Sequence, residues 1–125
     1  MLEFEFTELE QILATNVRGT AACVKHAANA TVERGVKGSI VCTASVAATT
    51  AGEGWTDYYM SKHAILGLMR CASKQFGQHE IRVSTVSPFA VATPLTCNYL
   101  QMDAEELEKI YQPHTSLKGS ILEEL

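Results

Sequence analysis

Two short β-branched runs in the middle of this 125-residue chain constrain its fold more than any other feature. Gly38-Ser39-Ile40-Val41-Cys42-Thr43-Ala44 is bounded by glycine, too short for a helix and apolar on both faces at its centre, which predicts a buried parallel strand. Ile81-Arg82-Val83-Ser84-Thr85-Val86 predicts a second. Between them, Ser45 to Thr56 is rich in Ala, Thr and Gly and has neither strand nor helix period, so it reads as a loop. From a cap at Thr56 or Asp57 to about Gly77, the apolar positions Tyr58, Ile65, Leu68, Met69, Ala72 and Phe76 recur at helical spacing, with Lys74, Gln75 and Gln78 facing solvent. Strand, loop, helix and strand form a crossover that is right-handed in nearly all proteins, so the two strands are parallel neighbours in one sheet. The fold class is therefore α/β. Ligands of such sheets gather at the carboxyl ends of the strands, here Ser45 and Ser87-Pro88.

The flanks extend this pattern. Thr7-Glu8-Leu9-Glu10 has the form of a capping box and predicts a helix start. Leu9, Ile12, Leu13, Val17, Ala21, Val24 and Ala28 then trace one apolar stripe to about Arg34, where Gly35 can stop it. Asn16 lies among these positions, although its side chain competes for backbone groups; it is either solvent-facing or there for a purpose. Asp103-Ala104-Glu105-Glu106 predicts the cap of a short amphipathic helix through about Tyr111, followed by a weakly structured tail. The whole chain, residues 1–125, reads as one domain at most.

Composition removes several classes of function. Fourteen acidic residues against ten basic ones give a formal net charge of −4, and no basic run exists to track a phosphate backbone, so nucleic acid is not an expected partner. Cys23, Cys42, Cys71 and Cys97 are too far apart for a zinc or redox pair, and reduced thiols of a cytoplasmic protein are expected. The N-terminus is acidic where a secretory signal is basic. The uncharged run from Val83 to Met102 contains Pro88 and Pro94, which argue against a membrane span, so the expectation is a soluble chain.

The chemistry concentrates at Tyr58-Tyr59-Met60-Ser61-Lys62. On a helix Tyr58 and Lys62 project from nearly the same face, a pattern that alone also suits a surface lysine beside a packed tyrosine. Ser45, leaving the first strand, is expected at the same sheet edge. A hydroxyl, a phenol and an ammonium around one pocket suit proton transfer at an alcohol or ketone oxygen. An ammonium beside a phenol favours the phenolate, the form that acts as general base.

These residues resemble the short-chain dehydrogenase/reductase family. Ser45 stands thirteen residues before Tyr58-x-x-x-Lys62, as in the family; Gly38-Ser39-Ile40-Val41 is similar to the family's strand before that serine. Asn16-Val17-Arg18-Gly19 is similar to the context of its helical asparagine, and Pro88-Phe89-Ala90-Val91-Ala92-Thr93 to its Pro-Gly-x-Val-x-Thr nicotinamide loop. Ala51-Gly52-Glu53-Gly54 and the Ser-Pro-aromatic triplet look most like plant alcohol dehydrogenases of the secoisolariciresinol dehydrogenase type.

The resemblance implies a partial Rossmann-like, doubly wound parallel sheet of about two strands with long flanking helices. It also implies an oxidoreductase that oxidises a secondary alcohol or reduces a ketone with NAD or NADP, NAD being favoured. Tyr58 would be the acid/base, Ser45 would hydrogen-bond the reacting oxygen, and Lys62 would bind the nicotinamide ribose and tune Tyr58. Asn16 would hold a water in a relay to Lys62, while Pro88, Val91 and Thr93 would lie against the nicotinamide side of the cofactor. Leu95, Tyr99, Leu100, Met102 and Tyr111 would wall a pocket for a small apolar alcohol or ketone, or simply cover the sheet. Family-like dimers or tetramers would form through the helices at 7–34 and 57–77.

Phe89 stands where most of the family has glycine, and Ser84 where it commonly has asparagine. The family's Thr-Gly-x-x-x-Gly-x-Gly loop and its Asn-Asn-Ala-Gly strand are not in this sequence, and its last helix and strand are not found after Leu122. Three readings follow: a module of a nicotinamide-dependent oxidoreductase; a truncated, catalytically inactive fragment that keeps only the helix-mediated association surface; or a plain structural α/β domain.

Overall fold

The computed structural model describes residues 4–114, and the tail expected after Tyr111 lies mostly outside them. The chain divides into two units, one running through Pro88 and the other starting at Phe89.

In the first unit, helix α1 (Phe6–Ile12) continues through a π-helical turn, Leu13–Gly19, into α2 (Thr20–Glu33). The start differs from the capping-box expectation. Glu5 is the extended cap residue, its carbonyl accepts from Leu9 N–H at 3.2 Å, and Thr7 is already inside the helix. A Thr-x-x-Glu pattern one turn into a helix looks the same in sequence as one at its start. The end is as expected: Gly35 adopts φ +64, and the amides of Gly35 and Val36 donate to the carbonyls of Val32 and Thr31, the paired bonds of a Schellman cap.

Strand β1 (Gly38–Thr43) lies parallel to β2 (Ile81–Val86), in register from Gly38 opposite Ile81 to Thr43 opposite Val86. The two form a two-stranded sheet, joined by a single 3₁₀ turn (Val46–Ala48), helix α3 (Thr56–Phe76) and a second 3₁₀ turn (Gly77–His79). Thr56 is the first residue of α3 rather than its cap; the cap position is Trp55, held at φ 55 in the left-handed region.

Alternation along the strands decides where the core sits. Ile40, Cys42, Ile81 and Val83 face Val24 and Ala28 of α2 and Ile65 and Ala72 of α3, with Leu66, Met69 and Phe76 packed around them. Ser39, Val41 and Thr43 alternate with these and point the other way, as do Arg82, Ser84 and Val86. Val41 is 58% exposed and Val86 51%. Among the described residues α2 and α3 cover one face of the sheet, so for these residues the expectation of a strand buried on both sides is corrected. Gly38 permits the close approach of α2, since a Cβ there would stand 2.9 Å from Thr31 Cγ2.

The second unit contains α4 (Pro94–Leu100) and α5 (Ala104–Tyr111). Helix α4 lies in a stretch to which the sequence pattern assigned no separate element. Its start is built from Thr93, whose Oγ1 accepts from Thr96 N–H at 3.3 Å, followed by Pro94, which is preset for the first helical position. The box expected at Asp103 forms: Asp103 Oδ1 accepts from Glu106 N–H at 2.8 Å, and Glu106 Oε2 from Asp103 N–H at 3.2 Å. Leu107 is buried, and Phe89 meets Tyr111 edge to face with ring centres 5.3 Å apart. The aromatic side chain at position 89 therefore has a packing partner. Leu95 and Tyr99 are 81% and 66% exposed.

Candidate active site at the carboxyl end of the sheet

The site in the first unit is assembled where β1 and β2 end. Ala44 N–H donates to the Val86 carbonyl at 2.8 Å, and Val46 N–H to the Pro88 carbonyl at 3.1 Å, so the two departing chains stay hydrogen-bonded beyond the last strand residues. Ser45 lies between these two bonds. It is extended (φ −172, ψ 161), nearly buried, and its Oγ caps the 3₁₀ turn by accepting from Ala47 N–H at 3.1 Å. A hydroxyl that accepts at its oxygen retains its hydrogen for donation.

Tyr58 and Lys62 occupy the first two turns of α3. The Lys62 ammonium lies 5.5 Å from the centre of the Tyr58 ring, within cation–π range, and donates to the Thr43 carbonyl at 3.4 Å. It therefore reaches from the helix to the end of β1, two residues before Ser45. The bond to Thr43 is long, and an ammonium has three donors, so Lys62 keeps hydrogen-bonding capacity for a ligand.

Asn16 sits at the centre of the π-helical turn, and its Nδ2 donates to Ser61 Oγ at 3.0 Å. The direct partner of this side chain is thus Ser61. Ser61 Oγ in turn donates to the Tyr58 carbonyl at 2.8 Å, and Ser61 is 0% exposed. Sequence reading missed Ser61. The available signal was its position three residues after Tyr58 and four before Ile65, which puts it inside the buried stripe of α3.

Val91 and Thr93 belong to the second unit, where Thr93 N–H donates to the Val91 carbonyl at 2.7 Å and the Thr93 hydroxyl serves the cap of α4. An open pocket of about 480 Å³ is lined by Thr50, Ala51, Gly52, Tyr59, Met60 and His63, among others, and includes neither Tyr58 nor Lys62. Adjacent helical residues point about 100° apart, so Tyr59 and His63 look away from the Tyr58 and Lys62 side. Among the described residues no cluster of His, Cys, Asp or Glu could hold a metal ion.

Comparison with known proteins extends the pattern beyond these residues. The family model described as enoyl-(acyl carrier protein) reductase matches residues 1–122. Short-chain dehydrogenase reductase 3b of Arabidopsis thaliana is 48% identical over 98% of this chain and 48% of its own length. The mitochondrial (-)-isopiperitenol/(-)-carveol dehydrogenase of Mentha piperita is 49% identical over 95% of this chain and 45% of its own. Among solved structures, 4-hydroxyisoleucine dehydrogenase complexed with NADH superposes with a TM-score of 0.82 at 28% identity, over 95% of this chain and 48% of that one. The chain spans about half the length of the curated relatives it matches.

Proposed function

The chain belongs to the short-chain dehydrogenase/reductase family, and from that premise we propose that it carries the proton-transfer half of a nicotinamide-dependent alcohol/ketone oxidoreductase site. The observation that carries this reading is the Lys62 ammonium, which bonds the end of β1 at Thr43 while lying 5.5 Å from the Tyr58 ring, with Ser45 two residues further along. Tyr58 is the general acid/base: its phenolic oxygen takes the proton of a secondary alcohol on oxidation and returns it to a ketone oxygen on reduction. Ser45 donates its hydroxyl hydrogen to that oxygen. Lys62 provides positive charge beside the phenol, and its remaining donors suit the ribose hydroxyls of a nicotinamide cofactor. Bound there, that cofactor supplies the hydride acceptor or donor.

NAD is favoured over NADP, since solved relatives carry NADH. The substrate class is a small apolar alcohol or ketone of terpenoid type, in keeping with the named activity of the Mentha relative. Pro88, Val91 and Thr93 are assigned to the nicotinamide side. Association of copies through the helices at 7–34 and 57–77 is part of the same proposal.

A second reading is favoured by the sequence itself: these 125 residues include no glycine-rich loop to bring backbone amides to a pyrophosphate, so this chain alone would not turn over. Both readings are tested by assaying carveol oxidation with NAD and NADP in two preparations. One is the 125-residue chain; the other joins it to the N-terminal half of the Arabidopsis relative. The joined protein is expected to turn over and to lose at least about 100-fold on Tyr58→Phe, with smaller losses for Ser45→Ala and Lys62→Ala. Full rate in Tyr58→Phe would show the acid/base assignment to be wrong. Turnover by the 125-residue chain that Tyr58→Phe abolishes would remove the second reading.

A further inference from the structure

We propose that Ser61 is a positioning residue of this site, tying the π-helical turn at Asn16 to the backbone of the turn that presents Tyr58 and Lys62. The inference rests on the catalytic reading of Tyr58 given above. A serine inside a helix commonly bonds a carbonyl one turn back, and the bond from Ser61 Oγ to the Tyr58 carbonyl at 2.8 Å is that ordinary contact. What exceeds it is the second bond. Asn16 Nδ2, 45 residues away on another helix, donates to the same oxygen at 3.0 Å.

Three facts make the tie specific. Ser61 is 0% exposed, and a hydroxyl withdrawn completely from water is tolerated only when it is hydrogen-bonded; alanine would fill the same space with no such requirement. The Tyr58 carbonyl is the acceptor that a regular helix offers to the Lys62 N–H, so the Ser61 hydroxyl acts on the same peptide turn that spaces the two catalytic side chains. Asn16 stands in the one π-helical stretch of the described residues, where the wider turn changes the direction of side chains relative to an α-helix. The chain of contacts is therefore Asn16 to Ser61 to the Tyr58 backbone, and through the helix to Lys62, with no contact between Ser61 and any reacting atom required.

The test is solution NMR of the 125-residue chain, with unfolding midpoints measured in parallel. Ser61→Ala and Asn16→Ala should each move the Tyr58 ring resonances and weaken the Lys62 to Tyr58 ring cross-peaks. The double variant should move them no further than either single one, and Ser61→Thr, which keeps the hydroxyl, should retain the wild-type signals. Asn16 is only half-buried, so Asn16→Ala reports on the tie even where Ser61→Ala fails to fold. Tyr58 and Lys62 signals unmoved in either single variant, or shifts that simply add in the double variant, would overturn the proposal while leaving Tyr58 catalysis standing. Full turnover in Tyr58→Phe would overturn the catalytic reading, and with it the positioning role, whatever the spectra show.

Discussion

Replacing Gly38 by alanine isolates the contact that lets α2 lie on the sheet. An alanine Cβ would stand 2.9 Å from Thr31 Cγ2 and 3.5 Å from the Cγ1 and Cγ2 atoms of Ile81. Non-bonded carbons rest about 3.5–4.0 Å apart, so the Ile81 contacts are ordinary and the Thr31 contact is the obstacle. Thr31 cannot simply turn away, because it is branched at Cβ and its hydroxyl donates to the Ala27 carbonyl at 2.8 Å. Relief requires losing that bond or lifting the last turn of α2 from the strand. Overpacking of this kind costs about 1–3 kcal/mol, and the reduced freedom of alanine in the unfolded chain returns about 0.4–1 kcal/mol. The net expectation is a loss of about 1 kcal/mol, read as a lower urea midpoint by far-ultraviolet circular dichroism; with a slope of about 1.5 kcal/mol per molar the shift is about 0.7 M. Thr31→Ser removes Cγ2 and keeps the hydroxyl. In that background Gly38→Ala should cost nothing or stabilise by about 0.5 kcal/mol, a coupling of about 1–1.5 kcal/mol. Equal cost in both backgrounds, within about 0.3 kcal/mol, would refute the argument from Thr31.

Two further outcomes are expected. Gly67 is exposed in the middle of α3 with open space where a Cβ would go, so Gly67→Ala should stabilise by about 0.5–1 kcal/mol; a fall in the urea midpoint would contradict this. Burial, followed by the nearby Cys23, raises the Cys42 thiol above its ordinary value of 9.0. The unfolded chain therefore ionises first at this position, so the contribution of Cys42 to stability is complete below about pH 9 and is lost as pH rises through the folded value. Iodoacetamide at pH 8 should accordingly label Cys23 and Cys71, both exposed, well before Cys42, and mass spectrometry showing Cys42 labelled first would refute the assignment.

The parts of this fold that were legible in the sequence are those set by one residue and its immediate neighbours. β-branched runs marked both strands, the first with a bounding glycine, Gly35 marked the end of α2, and Asp103 with Glu106 marked the start of α5. Features decided by partners elsewhere were not legible. A run such as Ile40 to Thr43 announces a strand but not how many layers cover it, and Val41 was left exposed. The spacing of Leu9, Ile12, Leu13 and Val17 accommodates an α-helix and a π turn equally, so nothing marked Leu13–Gly19. At the site, Tyr58 and Lys62 were visible through their four-residue spacing, whereas Ser61 was hidden because its importance lies in a bond to Asn16, 45 residues away.

The π-helical turn also acts as a phase shift. A turn closed by i to i+5 bonds takes up about one residue more than an α-helical turn, and one residue corresponds to about 100° of rotation. Residues before Leu13 and after Gly19 are thus out of step along what is otherwise a continuous rod. Helix α2 lies against β1 and α3, while α1 and the turn itself contact α3. A single stretch of helix can therefore line the sheet with one half and follow a neighbouring helix with the other, without a loop between them. Deleting one residue within Leu13–Gly19 would bring the halves back into phase and swing α1 away from its present contact with α3, so the length of this turn, and not only its composition, is part of how the site is built.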